Sequence, residues 1–189
     1  MFKSNEMNIK SLAVFCGSKS GSNPLFKKHA KELGEYLGKN DILLIYGGGK
    51  KGLMGDVANA AMENGGKVTG IIPELLIGWE SQHIGITDLQ VVADMHSRKK
   101  IMYDLCDAAV ILPGGNGTLD EMFEMLTWNT LKIHSKKIIL LNTAGFYDYL
   151  IKHIERMQEC DFLYENWLER IIVAGSPADI MAFLAGDRN

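Results

Sequence analysis

Short apolar runs alternate with longer amphipathic stretches along this chain, and that alternation constrains the fold more than any other feature. Seven runs predict buried strands because they contain few polar residues and many β-branched ones. They cover Leu12–Cys16, Ile42–Tyr46, Lys67–Pro73, Leu89–Ala93, Ala109–Pro113, Lys137–Asn142 and Ile171–Ala174. The intervening stretches predict helices over Pro24–Gly38, Leu53–Asn64, Ser97–Asp107, Leu119–Ile133, Phe146–Cys160 and Pro177–Leu184. This order is typical of a doubly wound α/β protein, with a mostly parallel sheet and helices on both faces.

Length and charge narrow the functions open to the chain. Its 189 residues predict a single domain over 1–189, with residues 1–10 as a flexible N-terminal segment. The net charge of −3 argues against the basic surface of a nonspecific nucleic-acid binder. No apolar run approaches the roughly 20 residues of a membrane helix, and the three cysteines lack C-x-x-C spacing. We therefore expect a cytoplasmic protein that binds neither nucleic acid nor a membrane.

A glycine-rich turn follows the second predicted strand at Gly47–Gly55. Backbone N–H groups of such a turn, together with the positive end of the next helix, suit an anion such as phosphate. The turn is not a P-loop, because Leu53 occupies the position of the required lysine. Gly47, Gly49 and Gly52 do match the G-x-G-x-x-G pattern of dinucleotide sites, with Glu74 about 20 residues further on. A tight turn with close helix packing is a third interpretation.

A second glycine turn, Pro113–Glu121, has the sequence PGGNGTLDE and follows a buried strand. Its glycines would let a ligand approach the backbone closely, and Thr118 adds a hydroxyl near the start of a helix. This combination predicts a phosphate cradle. An alternative is purely structural, since Thr118 and Glu121 have the spacing of a capping box.

Helical periodicity places Glu121 on a secondary face of the helix that follows this turn. At 100° per residue, one apolar face is predicted to pack on the sheet. Its residues are Leu119, Met122, Phe123, Leu126 and Thr130. Glu121 would then lie on the opposite side between Met125 and Trp128, on a smaller apolar face. Such a face is predicted to be a pocket wall or a contact with a second subunit.

The preceding helix contributes a matching positive charge. Arg98 projects onto the apolar stripe formed by Ile101, Met102 and Leu105, whereas Lys99 and Lys100 are rotated away. A guanidinium on an inward face needs partners, because an unpaired buried charge is costly. Arg98 is therefore either a structural, salt-bridged or snorkelling arginine, or one placed for a phosphate or a carboxylate.

Taken together, these residues resemble a known family. The segment PGGNGTLDE at Pro113–Glu121 resembles the PGGxGTxxE signature of the LONELY GUY (LOG) family of cytokinin riboside 5′-monophosphate phosphoribohydrolases. Arg98-Lys99 resembles that family's Arg-Lys element. Further matching segments are Phe15–Ser18, Gly47–Gly55, Gly70–Pro73 and Thr127-Trp128. The matches run in family order from Phe15 to Trp128, which spans somewhat under two thirds of the chain.

The resemblance implies a Rossmann-like homodimer that hydrolyses the N-glycosidic bond of a purine nucleoside 5′-monophosphate, either AMP or a cytokinin nucleotide. The products would be the free base and ribose 5-phosphate. Arg98 and Glu121 would be the catalytic pair, and no cofactor is implied. Substrate contacts are expected at Ser18, Gly49, Met54, Glu80, Lys99, Gly114, Gly115, Asn116, Gly117, Thr118 and Thr127. The family is also labelled lysine decarboxylase, but the sequence offers no recognisable pyridoxal-phosphate lysine.

Other chemistries have weaker support in the sequence. The five histidines show no H-x-x-x-H or Cys/His spacing, so we expect no metal site. Ser18 lacks the G-x-S-x-G elbow of a hydrolase nucleophile. The main alternative function is a non-catalytic nucleotide or cofactor carrier of the same fold. The Arg98 and Glu121 pair argues against it, since phosphate binding alone does not require a carboxylate.

Overall fold

The computed structural model describes residues 9–77 and 81–186. Strands and helices alternate along the described chain in the predicted order. The strands are β1 Ser11–Phe15, β2 Leu43–Tyr46, β3 Val68–Pro73, β4 Asp88–Val92, β5 Ala108–Ile111, β6 Ile138–Leu141 and β7 Ile171–Ala174. The helices are α1 Pro24–Lys39, α2 Gly52–Glu63, α3 Met95–Leu105, α4 Asn116–Thr130, α5 Asp148–Glu159 and α6 Pro177–Leu184. Short 3-10 turns lie at Glu74–Leu76, Thr143–Gly145 and Trp167–Glu169.

The strands form one sheet in the order β4-β3-β2-β1-β5-β6-β7, with every neighbouring pair parallel. Ala13 in the central strand β1 lies opposite Ile45 of β2 and Ala109 of β5. The strand order reverses between β1 and β5, and ligands of open α/β sheets bind in the crevice at such a reversal. The doubly wound α/β fold predicted from the sequence is confirmed.

Two apolar layers sandwich the sheet. In β1, Leu12 and Val14 face the layer formed with α1, α2 and α6, while Ala13 and Phe15 face the layer of α3, α4 and α5. Each fully buried large side chain contributes about 1.5–3 kcal/mol of transfer free energy. Because α3 and α4 share one layer, side chains from both helices can meet at the edge where β1 and β5 end.

Local sequence sets where the two helices near that edge begin. The Asp94 carboxylate accepts a hydrogen bond from the Ser97 amide at 2.8 Å and caps α3, so Arg98 follows directly in its first turn. Helix α4 begins at Asn116, three residues before the predicted start. Its cap is Gly115, in an extended conformation, and no side chain caps it. The capping-box interpretation is therefore wrong, because Thr118 and Glu121 both lie inside the helix.

The ends of the chain fall partly outside the described part. Residues 1–8 of the predicted flexible segment lie outside it, whereas the Lys10 amide donates to the Asp107 carboxylate at 2.8 Å. The prediction of a single domain over 1–189 stays a prediction. Among the residues that the structure describes, no helix combines the length and the apolar character needed to cross a membrane.

Candidate active site

A cavity of about 430 Å³ opens at the carboxyl ends of β1 and β2, between the two glycine turns. Helices α3 and α4 supply one side of it, and the segment after β3 supplies another. Its wall consists of Val14, Phe15, Cys16, Gly17, Ser18, Gly47, Met54, Leu75, Leu76, Met95, Arg98, Gly115, Asn116, Gly117, Thr118 and Glu121. The cavity therefore brings together eight of the residues expected to form the site, including both members of the predicted catalytic pair.

Arg98 is the main positive charge on this wall. Only 5% of the residue is exposed, which confirms the prediction that it points inward. One terminal nitrogen donates to the carbonyl of Gly47 at 3.2 Å, and the other lies 3.7 Å from the sulfur of Met95. Nε is buried and has no hydrogen-bond partner among the described residues. A buried donor of this kind is stabilised when a ligand supplies an acceptor.

Gly47 makes room for that guanidinium. A Cβ atom at this position would lie 2.0 Å from the terminal nitrogen of Arg98 that bonds the Gly47 carbonyl. Any side chain here would displace the arginine, so the first glycine turn positions a charge as well as reversing the chain. Gly47 was not among the predicted site residues, although it belongs to the glycine turn that the sequence marked.

Glu121 lines the same cavity from the second turn of α4. The residue is 8% exposed, and its backbone carbonyl accepts a hydrogen bond from the Tyr103 hydroxyl at 3.1 Å. The Tyr103 ring is fully buried and packs edge-on against Phe15 and Trp128. Glu121 is thus fixed through its own backbone, and a rigid support of this kind suits a reacting carboxylate.

The predicted faces of α4 were partly wrong. The face buried against the core contains Thr118, Glu121, Met122, Met125 and Asn129. Leu119, Phe123 and Leu126 are only partly buried, and Thr130 is exposed. Leu119, Phe123 and Leu126 nevertheless pack against the same core as Met122, as predicted. Apolar periodicity missed Asn129 because its partner lies beyond the helix: the Asn129 amide donates to the Lys136 carbonyl at 3.0 Å. Met125 belongs to the core, so it cannot serve as the predicted subunit contact.

The second glycine turn leaves open space at the start of α4. A Cβ atom on Gly115 or Gly117 would meet nothing within 4 Å, so packing does not require glycine at either position. Gly114 differs, since a Cβ there would lie 2.1 Å from the hydroxyl oxygen of Thr118. The first amides of a helix have no partner within it, and Asn116, Gly117 and Thr118 line the cavity at the positive end of the helix dipole. The turn can therefore receive an anion.

Another part of the cavity wall is apolar. Met54 from α2, Leu75 and Leu76 from the 3-10 turn after β3, and Met95 from α3 line it. The sequence marked the irregular segment from Glu74 onward without identifying these side chains. The same segment folds back over the first glycine turn, where the Lys50 amide donates to the Ser81 carbonyl at 2.9 Å.

Several expected site residues do not line the cavity. Gly49 is buried and bridges to Gln82, and Gly114 lines a neighbouring cavity of about 240 Å³ that shares Ser18 with this one. Thr127 lines a separate apolar cavity of about 320 Å³ near α5, and its hydroxyl donates to the Phe123 carbonyl at 2.8 Å. Glu80 lies outside the described residues.

Lys99 also lies away from the cavity wall, and the prediction that it is rotated outward was wrong. It is 7% exposed, and its ammonium group is 2.9 Å from the Glu124 carboxylate and 3.1 Å from that of Asp120. Burial alone would lower the pKa of Lys99, but hydrogen bonds to the two carboxylates outweigh it and raise the pKa. Leu105, predicted to be apolar core, is 43% exposed.

Within the described residues, no group of three or more His, Cys, Asp or Glu side chains is arranged to hold a metal ion. The fold and the cavity define a doubly wound α/β protein whose candidate site combines an open glycine turn with a buried arginine and a buried glutamate.

A family model described as "Possible lysine decarboxylase" matches residues 54–184. Over 165 residues the chain is 42% identical to the cytokinin riboside 5′-monophosphate phosphoribohydrolase of Rhodococcoides fascians, covering 87% of this chain and 83% of that protein. It is 39% identical over 176 residues to the cytokinin riboside 5′-monophosphate phosphoribohydrolase LOG1 of Arabidopsis thaliana, covering 93% and 83%. The chain belongs to the LOG family of cytokinin riboside 5′-monophosphate phosphoribohydrolases, as the sequence motifs predicted.

Among solved structures, the molybdenum cofactor carrier protein of Chlamydomonas reinhardtii matches with a TM-score of 0.70, covering 93% of this chain and 96% of that one. The sequences are only 20% identical, so this likeness shows the fold alone.

Proposed function

We propose that this protein is an enzyme that hydrolyses the N-glycosidic bond of a purine nucleoside 5′-monophosphate, either AMP or a cytokinin nucleotide, to the free base and ribose 5-phosphate. Relatives named for this reaction are about 40% identical over most of the chain. The observation that carries the proposal is one cavity with an open glycine turn, a buried arginine and a buried glutamate on its wall.

The phosphate would bind at the second glycine turn. Amides at the start of α4, from Asn116 to Thr118, can donate to its oxygens, and the Thr118 hydroxyl adds another donor. The helix dipole stabilises an anion at this position. Gly115 and Gly117 keep the space clear, because neither has a neighbour that a Cβ would meet.

Glu121 would act on the sugar. Breaking the bond between C1′ and the base nitrogen leaves positive charge on the ribose ring, as in other glycoside hydrolyses, and a nearby carboxylate stabilises that charge. In the proposed step, water attacks C1′ and gives one proton to Glu121, while the electron pair of the broken C1′–N bond leaves with the nucleobase. The nucleobase nitrogen takes up a proton from solvent, and Glu121 returns its proton to solvent. The 8% exposure of Glu121 strengthens its electrostatic effect on the sugar.

Arg98 would bind the phosphate or the ribose and orient Glu121. Its Nε–H is buried without a partner among the described residues, and its remaining nitrogens are anchored near Gly47 and Met95. A fixed, planar guanidinium is suited to two parallel hydrogen bonds with an oxyanion. Ser18 and Met54 also line the cavity and would contact the nucleotide.

Decarboxylation of lysine has no support in this cavity. A pyridoxal-phosphate enzyme needs a lysine for its Schiff base. Within the described residues, none of the side chains lining the cavity is a lysine, and Lys99 is held by two carboxylates. The family description and the chemistry of the site therefore differ.

Two further predictions accompany the function. A homodimer is expected from the family resemblance. Met125 gives this prediction no support because it is buried in the core, whereas Trp128 is only partly buried. Sedimentation velocity tests the prediction, and a monomer would contradict it. A cytoplasmic location agrees with the free thiols of Cys16, Cys106 and Cys160. Fractionation of cells producing the tagged protein tests the location.

The function is tested by chromatography of the products. Purified protein is incubated with AMP, GMP, CMP or isopentenyladenosine monophosphate, and with adenosine as the control that lacks phosphate. Release of base from purine monophosphates only, with ribose 5-phosphate in equal amount, is the expected result. Tight binding of AMP without release of any base would contradict the proposal and support a carrier.

A further inference from the structure

Lys99 occupies a position that substrate binding does not explain. It follows Arg98 on α3, yet its ammonium group points at α4 and contacts Glu124 and Asp120 there. The Tyr103 hydroxyl has one proton to donate, and it lies 2.9 Å from the Glu124 carboxylate and 3.1 Å from the Glu121 backbone carbonyl, so these two oxygens share a single donor. Lys99, Glu124 and Tyr103, with the more exposed Asp120, are called here the α3–α4 clamp.

The clamp lies beside the proposed catalytic pair in sequence and in space. Lys99 is the residue after Arg98, and Asp120 is the residue before Glu121. The Tyr103 hydroxyl reaches both the Glu124 carboxylate and the backbone carbonyl of Glu121. Every hydrogen bond of the clamp therefore joins the helix that carries the arginine to the helix that carries the glutamate.

The two ion pairs of Lys99 differ in strength. The Asp120 side chain is 59% exposed, and solvent screens such a pair strongly. Glu124 is 25% exposed, and its carboxylate is shared with a fully buried tyrosine, so this pair lies in a lower dielectric and has a more rigid geometry. Glu124 is therefore the partner through which Lys99 acts.

We infer that Lys99 is a positioning residue, which acts through Glu124 and Tyr103 to fix the separation of Arg98 and Glu121 and does not bind the substrate. This inference rests on the proposed function. Hydrolytic steps need reacting groups placed to within a fraction of an ångström, and a shift of 1 Å can reduce turnover by about 100-fold. Loss of the clamp should therefore reduce kcat while leaving phosphate binding at the glycine turn intact.

The test compares variants of neighbouring lysines on the same helix. Lys99→Met removes the clamp charge, and Lys100→Met is the matched control, because Lys100 pairs with Asp104 on the exposed side of α3. We expect kcat for AMP to fall about 10- to 100-fold in Lys99→Met, with KM changed by less than about threefold. Lys99→Arg should restore most of kcat, and Lys100→Met should behave like the wild type. A tenfold rise in KM with kcat unchanged would instead place Lys99 on the substrate and overturn the inference.

A double-mutant cycle identifies the partner. Glu124→Gln should lower kcat as Lys99→Met does, and the double variant should lose no more than the worse single variant, because both changes break one contact. Losses that multiply would overturn the assignment of Glu124. Circular dichroism and thermal unfolding of each variant exclude a loss of fold as the cause.

A measurement without turnover separates this inference from the proposed function. The side-chain Nε–H resonance of Arg98 in a nitrogen-15 NMR spectrum is assigned by its loss in Arg98→Lys. We expect it to shift in Lys99→Met and to stay in place in Lys100→Met. A wild-type protein without hydrolase activity would refute the proposed function alone, whereas an unshifted resonance in Lys99→Met would refute the clamp.

Discussion

The two ends of α4 border two different cavities. At its N-terminal end the helix presents Thr118 and Glu121 to a cavity that also contains Arg98. Near its C-terminal end it presents Phe123 and Leu126 to a cavity that is lined mostly by apolar side chains from α5 and the segment after it. Both cavities exceed 300 Å³, so size does not distinguish them.

The difference lies in buried polar groups without internal partners. In the first cavity the buried Nε of Arg98 has no hydrogen-bond partner among the described residues, which costs free energy. In the second, Arg170 is already bound to Glu165 through two hydrogen bonds of 2.8 and 3.1 Å. This difference favours the first cavity as the binding site.

The largest effect on kcat is expected when the carboxylate charge of Glu121 is removed, and the same change at the apolar cavity is the control. Glu121→Gln should lower kcat by about 1000-fold, because the positive charge on the sugar loses its stabilising carboxylate and the attacking water loses its proton acceptor. Glu165→Gln, the same chemical change at the apolar cavity, should leave kcat within about twofold. Steady-state release of adenine measures both. Near-normal activity in Glu121→Gln would reject its assigned role.

Adjacent glycines in the second turn should respond in different ways. Gly115→Ala places a methyl group in open space, so stability should hold while KM for AMP rises about tenfold, since the phosphate loses room. Gly114→Ala forces a Cβ against the Thr118 hydroxyl and should cost about 1–3 kcal/mol of unfolding free energy. Denaturant titration and KM measurements separate the two effects. Equal KM values for Gly115→Ala and the wild type would show that the phosphate does not bind at this turn.

Thr127 tests the boundary between the two cavities. The family resemblance implies that it contacts substrate, yet it lines the apolar cavity and bonds to its own helix. Thr127→Ser keeps the hydroxyl, and Thr127→Ala removes it. In the protein as described, kcat/KM should change less than about twofold in both variants. A tenfold loss confined to Thr127→Ala would show that the hydroxyl reaches substrate during turnover.

The smallest effect concerns pH. His83 lies over the first glycine turn, and His134 follows α4 with its Nδ1 2.8 Å from the Asn129 side-chain oxygen. Burial lowers the pKa of both below 6.5, with further lowering by Lys50 for His83 and by Lys136 for His134. The unfolded chain then binds protons more readily than the folded one as pH falls below 6.5. The two neutral histidines therefore stabilise the folded state fully above pH 6.5, and this stabilisation is lost progressively as the pH falls below that value.

Thermal unfolding at pH 7.5 and 5.5 measures this contribution. The wild type should unfold at a lower temperature at pH 5.5, and His83→Gln and His134→Gln should each show a smaller decrease. The comparison with the wild type isolates each histidine from the other groups that titrate. If the unfolding temperature of both variants fell by as much as that of the wild type, these two histidines would be excluded as the source of the decrease.

Sequence patterns predicted the features that depend on near neighbours. Apolar runs predicted all seven strands that the structure describes, and helical spacing predicted that Arg98 points inward. The burial of Lys99 could not be predicted from its own helix, because its partners, including Glu124, lie on the next helix. The early start of α4 was missed because a glycine, Gly115, caps it in place of a polar side chain. The sequence thus located the candidate site, whereas distant partners determine which charges face it.

The two walls of the cavity differ in what substitution can do to them. Gly115 and Gly117 have no side chain to shorten, so every substitution there reduces the space at the second glycine turn, the proposed phosphate end of the cavity. Leu75 and Leu76, from the 3-10 turn after β3, can become larger, smaller or more polar without altering that end. Natural variation in substrate preference among descendants of this protein should therefore accumulate on the apolar wall, while selection keeps the glycine turn unchanged.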